Sequence, residues 1–355
     1  MNHSLNSLSN AMTSSTPPQS DDVRGISLTT QVTYSIICTT AILGNTLTIL
    51  MFVLERELLK KTHSVLILTL AIADVLTAIN VITSPTYVLG DAFPTPANPV
   101  LGEIFCRLIW SHSLIFNLVF FSVYITLALT VERWFAVIKP HKYSDVFTRR
   151  RVFGYIFFCW AWSFFLTAGG VVQTIYTPSD DKICEIRIIA KGSFLRIFIA
   201  FIQSATRMIF PCLLMIGLYI HMIVKTTNSP AASAESKAKL RGKMTRMIAA
   251  TSVILFIFLA PNQVTLLLII AGKAEFGGPA HNATSFLTFI TTCINPFIYG
   301  LSNANYRHRY RKILFFTSPR ALREGARVEN IELFNRVGRR RVHPSKQESN
   351  LDQAV

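Results

Sequence analysis

The chemistry of this chain rests on a handful of residues, because ionisable side chains are scarce wherever the sequence is strongly apolar. Asp74 stands mid-run in Leu70-Ala71-Ile72-Ala73-Asp74, Glu132-Arg133-Trp134 closes another run, and Gln203 and Arg207 precede Pro211 in a third. A charge in such a setting is costly and needs a counter-charge, a cation or a set of dipoles. Asp74 could hold a small hard cation such as sodium together with oxygens from Ser122, Thr291, Thr292 and Asn295, since such cations prefer oxygen ligands. It could equally close a hydrogen-bonded network tying helices together without an ion. Glu132-Arg133-Trp134 reads either as an ion pair or as a snorkelling Arg beside an aromatic interface anchor. The six Cys, at 38, 106, 159, 184, 212 and 293, form no CxxC and no Cys/His cluster at zinc spacing, so no redox motif, metal centre or other cofactor is signalled beyond that sodium ion.

The elements that must position these residues are read from hydropathy. The 355 residues are 51% hydrophobic and only 15% charged, against roughly 25% charged in soluble domains. A spanning helix needs about 20 apolar residues, and seven runs qualify: 30 to 54, 64 to 89, 105 to 138, 152 to 175, 194 to 225, 245 to 271 and 281 to 302. The expectation is an all-α, seven-transmembrane helix bundle over 30–302. Residues 1–29 are expected to be a disordered N-terminus without a cleaved signal peptide, residues 303–316 a short amphipathic helix on the membrane surface, and residues 317–355 a disordered tail. In the surface helix, Tyr306, Tyr310, Ile313 and Leu314 share one face among basic neighbours.

The net charge of +16 is explained by topology. With residue 1 outside, the stretches 55–63, 139–151, 225–246 and 303–355 hold 3, 5, 6 and 12 Lys and Arg, while the outer segments with their adjoining helix ends hold 7. Positive residues are retained on the cytoplasmic side, so the N-terminus is expected outside, in the plasma membrane, with the basic stretches facing anionic lipid rather than nucleic acid. The glycosylation sequons at Asn2 and Asn282 then lie outside. Cys106, opening the third span, and Cys184, in the second outer loop, are the two cysteines placed to pair on an oxidising surface.

Three proline motifs complete the pattern: Phe210-Pro211-Cys212 with Tyr219 eight residues on, Leu259-Ala260-Pro261, and Asn295-Pro296-Phe297-Ile298-Tyr299. Each Pro removes an intrahelical hydrogen bond and kinks its helix. With Gly44-Asn45, Leu70 to Asp74, Cys106, Glu132-Arg133-Trp134 and Trp160 in the corresponding spans, the sequence resembles rhodopsin-like G-protein-coupled receptors over roughly residues 30–316. The resemblance implies an extracellular ligand, activation of a heterotrimeric G protein, arrestin as a further partner, and roles in activation for Glu132, Arg133, Tyr219, Pro261, Asn295, Pro296 and Tyr299. There are three departures. The family's aromatic before the span-six proline is missing, leaving Phe256 or Phe258 to substitute. The interval from Cys106 to Arg133 is about two residues longer than usual, which implies a bulge or an extended helix end. No Cys follows the surface helix.

No Lys in span seven could carry retinal, Phe289 standing at the equivalent depth, and no Asp lies where amine receptors carry one in span three. Gln203, Arg207 and Pro211 share a helical face that lines the outer cavity in this family. An anionic ligand group is a natural partner for Arg207; backbone carbonyls or waters are the alternative. Tyr87, His112, Gln173, Asn262 and Gln263 are the further candidates for this ligand site. The stretch Tyr124 to Trp134 also resembles invertebrate neuropeptide receptors of the FMRFamide-receptor-like group, which ranks an extracellular peptide first and an anionic small molecule or lipid second. A transporter or channel is the alternative of another class, although no halves repeat, and no catalytic pair in the spans suggests an enzyme.

Overall fold

A helix hydrogen-bonds its own backbone, which is why apolar runs bounded by polar or Pro/Gly segments become helices when they must lie in hydrocarbon. The computed structural model describes residues 26–93, 96, 98–177, 183–186, 193–228, 242–275 and 278–315. Among these, seven helices are long and apolar enough to cross a membrane: Leu28–Leu54, Thr62–Ile82, Pro99–Ile138, Arg149–Gln173, Phe194–Lys225, Thr245–Ile270 and Pro279–Ser302. They are numbered here as spans one to seven. The expectations for Asn2, for the outermost N-terminus and for the tail beyond residue 316 fall outside the described residues.

Span three sits centrally, against spans two, four, five and six, while span one packs on two and seven, and six on seven. Apolar side chains gain little from leaving lipid for protein, so the bundle depends on close packing and interhelical hydrogen bonds. Gly44 shows the packing: a Cβ there would lie 3.1 Å from the Pro296 ring, so the missing side chain lets span one approach span seven more closely than an ordinary Cβ contact would allow. Asn45 beside it shows the bonding. Pro296 has no N–H to offer the carbonyl of Thr292, and Asn45 Nδ2 donates to that oxygen at 2.8 Å.

Spans two, three and five depart from regular helix. The second apolar run is not one helix to residue 89: span two stops at Ile82, and Pro85–Leu89 forms a separate π-turn capped by Ser84. Span three starts earlier than 105, at Pro99, and contains a π-helical stretch, Phe105–Trp110, followed by His112 in the left-handed region at φ 57°. A π-turn holds more residues per turn, and this insertion absorbs the long interval between Cys106 and Arg133. In span five a third π-segment, Ala205–Ile209, directs the Phe210 N–H to Ala205 O. The Thr206 carbonyl so released accepts from Tyr124 Oη of span three at 2.6 Å.

A two-stranded antiparallel ribbon, β1 Thr174–Tyr176 and β2 Cys184–Ile186, lies at one end of the bundle, with Tyr176 opposite Cys184. The Cys106–Cys184 disulfide ties it to span three, with Cα atoms 5.5 Å apart. At the opposite end a loop helix, Pro140–Val146, follows span three, and a last helix, Ala304–Phe315, follows span seven. This last helix is anchored by more than an apolar face. Tyr310 Oη and Thr48 Oγ1 are 2.8 Å apart and buried, Tyr306 packs on Phe52 and Tyr299, and Arg309 pairs with Glu55. Leu314 remains exposed.

Candidate functional site

Three polar sites lie one below another along the bundle. The one farthest from the disulfide centres on Glu132, wholly buried, whose carboxylate takes the guanidinium of Arg133 and the hydroxyl of Tyr143 from the loop helix. Thr62 Oγ1 adds a bond to Glu132 at 3.3 Å, and Arg133 Nη2 lies 3.0 Å from His63 Nδ1. Glu132-Arg133 is therefore a pair of neighbours on one helix held closed by span two and the loop, not a snorkelling Arg alone. Burial, reinforced by the Glu132 charge, pushes the Tyr143 phenol up to about 12, so it stays a donor at neutral pH. Tyr299 is buried in the apolar cluster at this end, with Tyr219 packed against the cluster from span five.

At mid-depth Asp74 is buried and accepts from Asn295 Nδ2 at 2.8 Å and from Ser122 Oγ at 3.3 Å. A cavity of about 10 Å³ lies beside it, lined among others by Ser122, Thr291, Thr292 and Asn295. That is about the volume of one water-sized probe. Thr291 and Thr292 donate their hydroxyl protons to Thr288 O and Phe289 O, which leaves oxygen lone pairs for a cation or water. The span-six wall of this cavity is Thr251, Ile254, Leu255 and Leu259, the two leucines one turn apart and both buried. Neither Phe256 nor Phe258 fills the place of the missing aromatic, because i and i+4 spacing turns the two leucines inward; Phe256 faces out.

Toward the disulfide a third cavity, about 210 Å³, is lined by Arg207, Gln203, Gln173 and His112 with Ser111, Ser113 and His281. Spans three, four, five, six and seven all contribute. The floor is small by necessity: a Cβ on Gly170 would come 2.7 Å from Ser113 Oγ. A Cβ on Gly169 would meet Gln203 Nε2 at 3.5 Å and Gln173 Nε2 at 3.9 Å, so the two amides converge over this face. Arg207 donates through Nε and Nη2 to Leu166 O at 3.2 and 2.5 Å and lies over the Phe120 ring at 5.3 Å. The backbone carbonyl takes two of its five donors but supplies no counter-charge, and among the described residues no carboxylate pairs with it.

Four of the seven residues singled out for a ligand, Arg207, Gln203, His112 and Gln173, thus share one cavity. The other three do not line it. Tyr87 is buried beneath, 5.0 Å from the His112 ring and 5.2 Å from Phe289. Asn262 donates to Ser285 Oγ at 3.2 Å, tying span six to span seven, and Gln263 is buried beside it. Asn282 is exposed in the first turn of span seven. Sequence reasoning missed His281, Ser111 and Ser113 at the cavity, and Thr62, His63 and Tyr143 around Glu132. A hydroxyl or imidazole at a helix end carries no signal until its neighbours are known.

Comparison with known proteins matches this arrangement. The chain is 25% identical over 315 residues to melanin-concentrating hormone receptor 1 of Macaca mulatta, covering 84% of this chain and 85% of that one. It is 26% identical over 294 residues to somatostatin receptor type 5 of Bos taurus, covering 80% and 75%. It is 24% identical over 311 residues to the allatostatin-A receptor of Bombyx mori, covering 83% and 81%. A family model described as seven-transmembrane receptor, rhodopsin family, matches residues 44–299, the stretch that carries the Asp74 cavity, the Glu132–Arg133 pair and the three proline motifs. The chain therefore belongs to the rhodopsin family of seven-transmembrane receptors, a family of signalling receptors and not of enzymes.

Proposed function

We propose that this receptor binds an extracellular peptide, a neuropeptide by class, at the cavity of Arg207, Gln203, Gln173 and His112, and activates a heterotrimeric G protein through its Arg133 end. The observation that carries the peptide reading is the cavity itself. At about 210 Å³ it is below the roughly 300 to 1,000 Å³ of pockets that enclose small ligands, so it suits the end of a longer chain that lies across the outer loops. Two amide side chains match peptide donors and acceptors, and Arg207 suits a carboxylate. The relatives named for melanin-concentrating hormone, somatostatin and allatostatin A support the same reading.

A screen of amidated and acidic peptides on cells reporting several G-protein outputs tests it, with solute flux in receptor vesicles as the contrasting readout for a transporter. For a peptide agonist found in this way, Arg207→Ala should weaken binding roughly ten-fold to a hundred-fold, a charge-assisted bond being worth about 1.5 to 3 kcal/mol. Arg207→Lys should recover part of it, an ammonium lacking the two-pronged fork. Because Arg207 also ties span five to Leu166 O, the deciding measurement is the cycle: neutralising the ligand's acid should cost much in the parent receptor and little in Arg207→Ala. Equal costs would assign Arg207 to structure alone.

The Tyr143–Glu132 bond is expected to hold the receptor off. A hydrogen bond to a buried carboxylate is worth roughly 1.5 kcal/mol or more, so Tyr143→Phe should raise ligand-independent nucleotide exchange about ten-fold at equal surface expression. Unchanged basal exchange would remove Tyr143 from the lock.

The Asp74 cavity supports one further reading, a bound sodium ion in the inactive state, for which the carboxylate and the lone pairs of Thr291 and Thr292 are suited. Sodium and agonist would then oppose one another reciprocally: raising sodium at constant ionic strength should weaken agonist binding, and Asp74→Asn should abolish the dependence. Wild-type binding indifferent to sodium would leave the Asn295 and Ser122 network as the whole role of Asp74.

A further inference from the structure

Between spans three, four and five lies another cavity, about 710 Å³, which shares no residue with the peptide site. Its walls are almost wholly apolar. Ala128 and Val131 come from span three, Phe158 and Trp162 from span four, and Phe147 from the loop beyond the Pro140–Val146 helix. Phe158 and Phe210 at its sides are more than half exposed, so the groove opens sideways into the bilayer. Its lining positions on span four, 155, 158, 159 and 162, fall on one helical face. One turn earlier on that face stands Arg151. Arg151 is exposed, and its Nη1 donates to the carbonyl of Asp145, next to the Val146 and Phe147 that close the mouth of the groove. From Arg151 to Trp162 the helix rises about 16 Å at 1.5 Å per residue. That is about half of the roughly 30 Å hydrocarbon core. The groove is thus one leaflet deep, apolar along its length, with a cation at the end beside the loop helix.

We propose that this groove binds one anionic phospholipid of the cytoplasmic leaflet, its acyl chain lying along span four and its phosphate on Arg151. The cytoplasmic leaflet follows from the Lys and Arg distribution across the loops. Topology explains why three arginines, Arg149 to Arg151, open span four; it does not explain why one of them is in register with an apolar groove. A guanidinium there favours the phosphate of a lipid with net negative charge, which it bonds and neutralises, whereas a sterol hydroxyl can accept only a hydrogen bond from it. The occupant would also support Phe147, which stacks on Tyr143 at 5.6 Å, the residue bonded to Glu132.

The test uses the full-length receptor in phosphatidylcholine nanodiscs containing phosphatidylglycerol with a photoreactive diazirine on its acyl chain, and cross-links mapped by mass spectrometry. Labelling is expected on the span-three and span-four peptides that carry Ala128 and Trp162, displaced by unlabelled phosphatidylglycerol and not by phosphatidylcholine. Arg151→Gln should lower it about five-fold, Arg150→Gln, off the groove face, less than two-fold, and Ala128→Trp, which fills the groove, should abolish it. Equal labelling by a phosphatidylcholine probe, equal loss in Arg150→Gln, or displacement by cholesterol but not by phosphatidylglycerol would overturn the proposal. So would absence of label from these peptides. If Ala128→Trp does not reach the membrane, the paired arginine variants, both at exposed positions, decide the matter alone.

Discussion

Arg133→Ala should abolish nucleotide exchange promoted by a peptide agonist, to the level of cells lacking the receptor, while surface expression and agonist affinity change little. The guanidinium is held by Glu132, itself bonded to Tyr143 and Thr62, with His63 at 3.0 Å. None of these contacts reaches the ligand cavity, so their loss leaves binding intact. The site lies at the end of the bundle where Tyr219 and Tyr299 join the same apolar cluster. On the proposed function, opening of that end would free Arg133 from its carboxylate, and the freed cation is the group expected to engage the G protein. Alanine removes the cation in every state, whereas Tyr143→Phe removes only a restraint; the two variants should therefore move exchange in opposite directions. Normal exchange in Arg133→Ala would show that the lock serves folding alone.

Loss of the disulfide should have the other large effect. Cys106 and Cys184 are 78 residues apart in sequence, and closing a loop of that length removes about 4.5 kcal/mol of chain entropy from the unfolded state in the chain-entropy model. The bond also fixes the β1–β2 ribbon, whose first strand directly follows Gln173, a wall of the Arg207 cavity proposed to take the ligand. Cys106→Ser and Cys184→Ser should each cut surface expression several-fold and weaken agonist binding, and the double variant should be no worse than either single one. Additive defects would mean that the two sulfurs act separately. Cys38, Cys159 and Cys212 are free and buried, which leaves them no surface role in rescuing the pair.

Much of this molecule was determined by sequence alone, for reasons of solvent. Backbone groups cannot be left unpaired in hydrocarbon, so seven long apolar runs had one structural outcome, a bundle of seven helices. The same cost makes rare polar residues conspicuous: Asp74, Glu132, Arg133 and Arg207 stood out, as did the prolines that break a hydrogen-bond ladder. The extra residues between Cys106 and Arg133 could be counted, but whether they made a bulge or a longer helix end could not; the structure shows a bulge, the π-turn at Phe105–Trp110, while the earlier start at Pro99 precedes Cys106 and adds nothing to that interval.

Only tertiary structure decided which groups meet. Helical periodicity places a residue on a face, yet the rotation of that face depends on what packs there. Asn262 therefore bonds to span seven and Gln263 is buried beside it rather than lining the Arg207 cavity, Leu255 and Leu259 took the inward positions where Phe256 or Phe258 was expected to substitute for the missing aromatic, and Tyr87 sank beneath His112. Partners from distant elements were equally invisible. Tyr143 reaches Glu132 from a loop helix, Asn45 serves the Thr292 carbonyl that Pro296 leaves without a donor, and Tyr124 serves the Thr206 carbonyl released by the π-turn of span five. Sequence identifies which backbone and side-chain groups need a partner. Which residue supplies it is set by interhelical distances of a few ångströms, and these exist only once the helices are packed together.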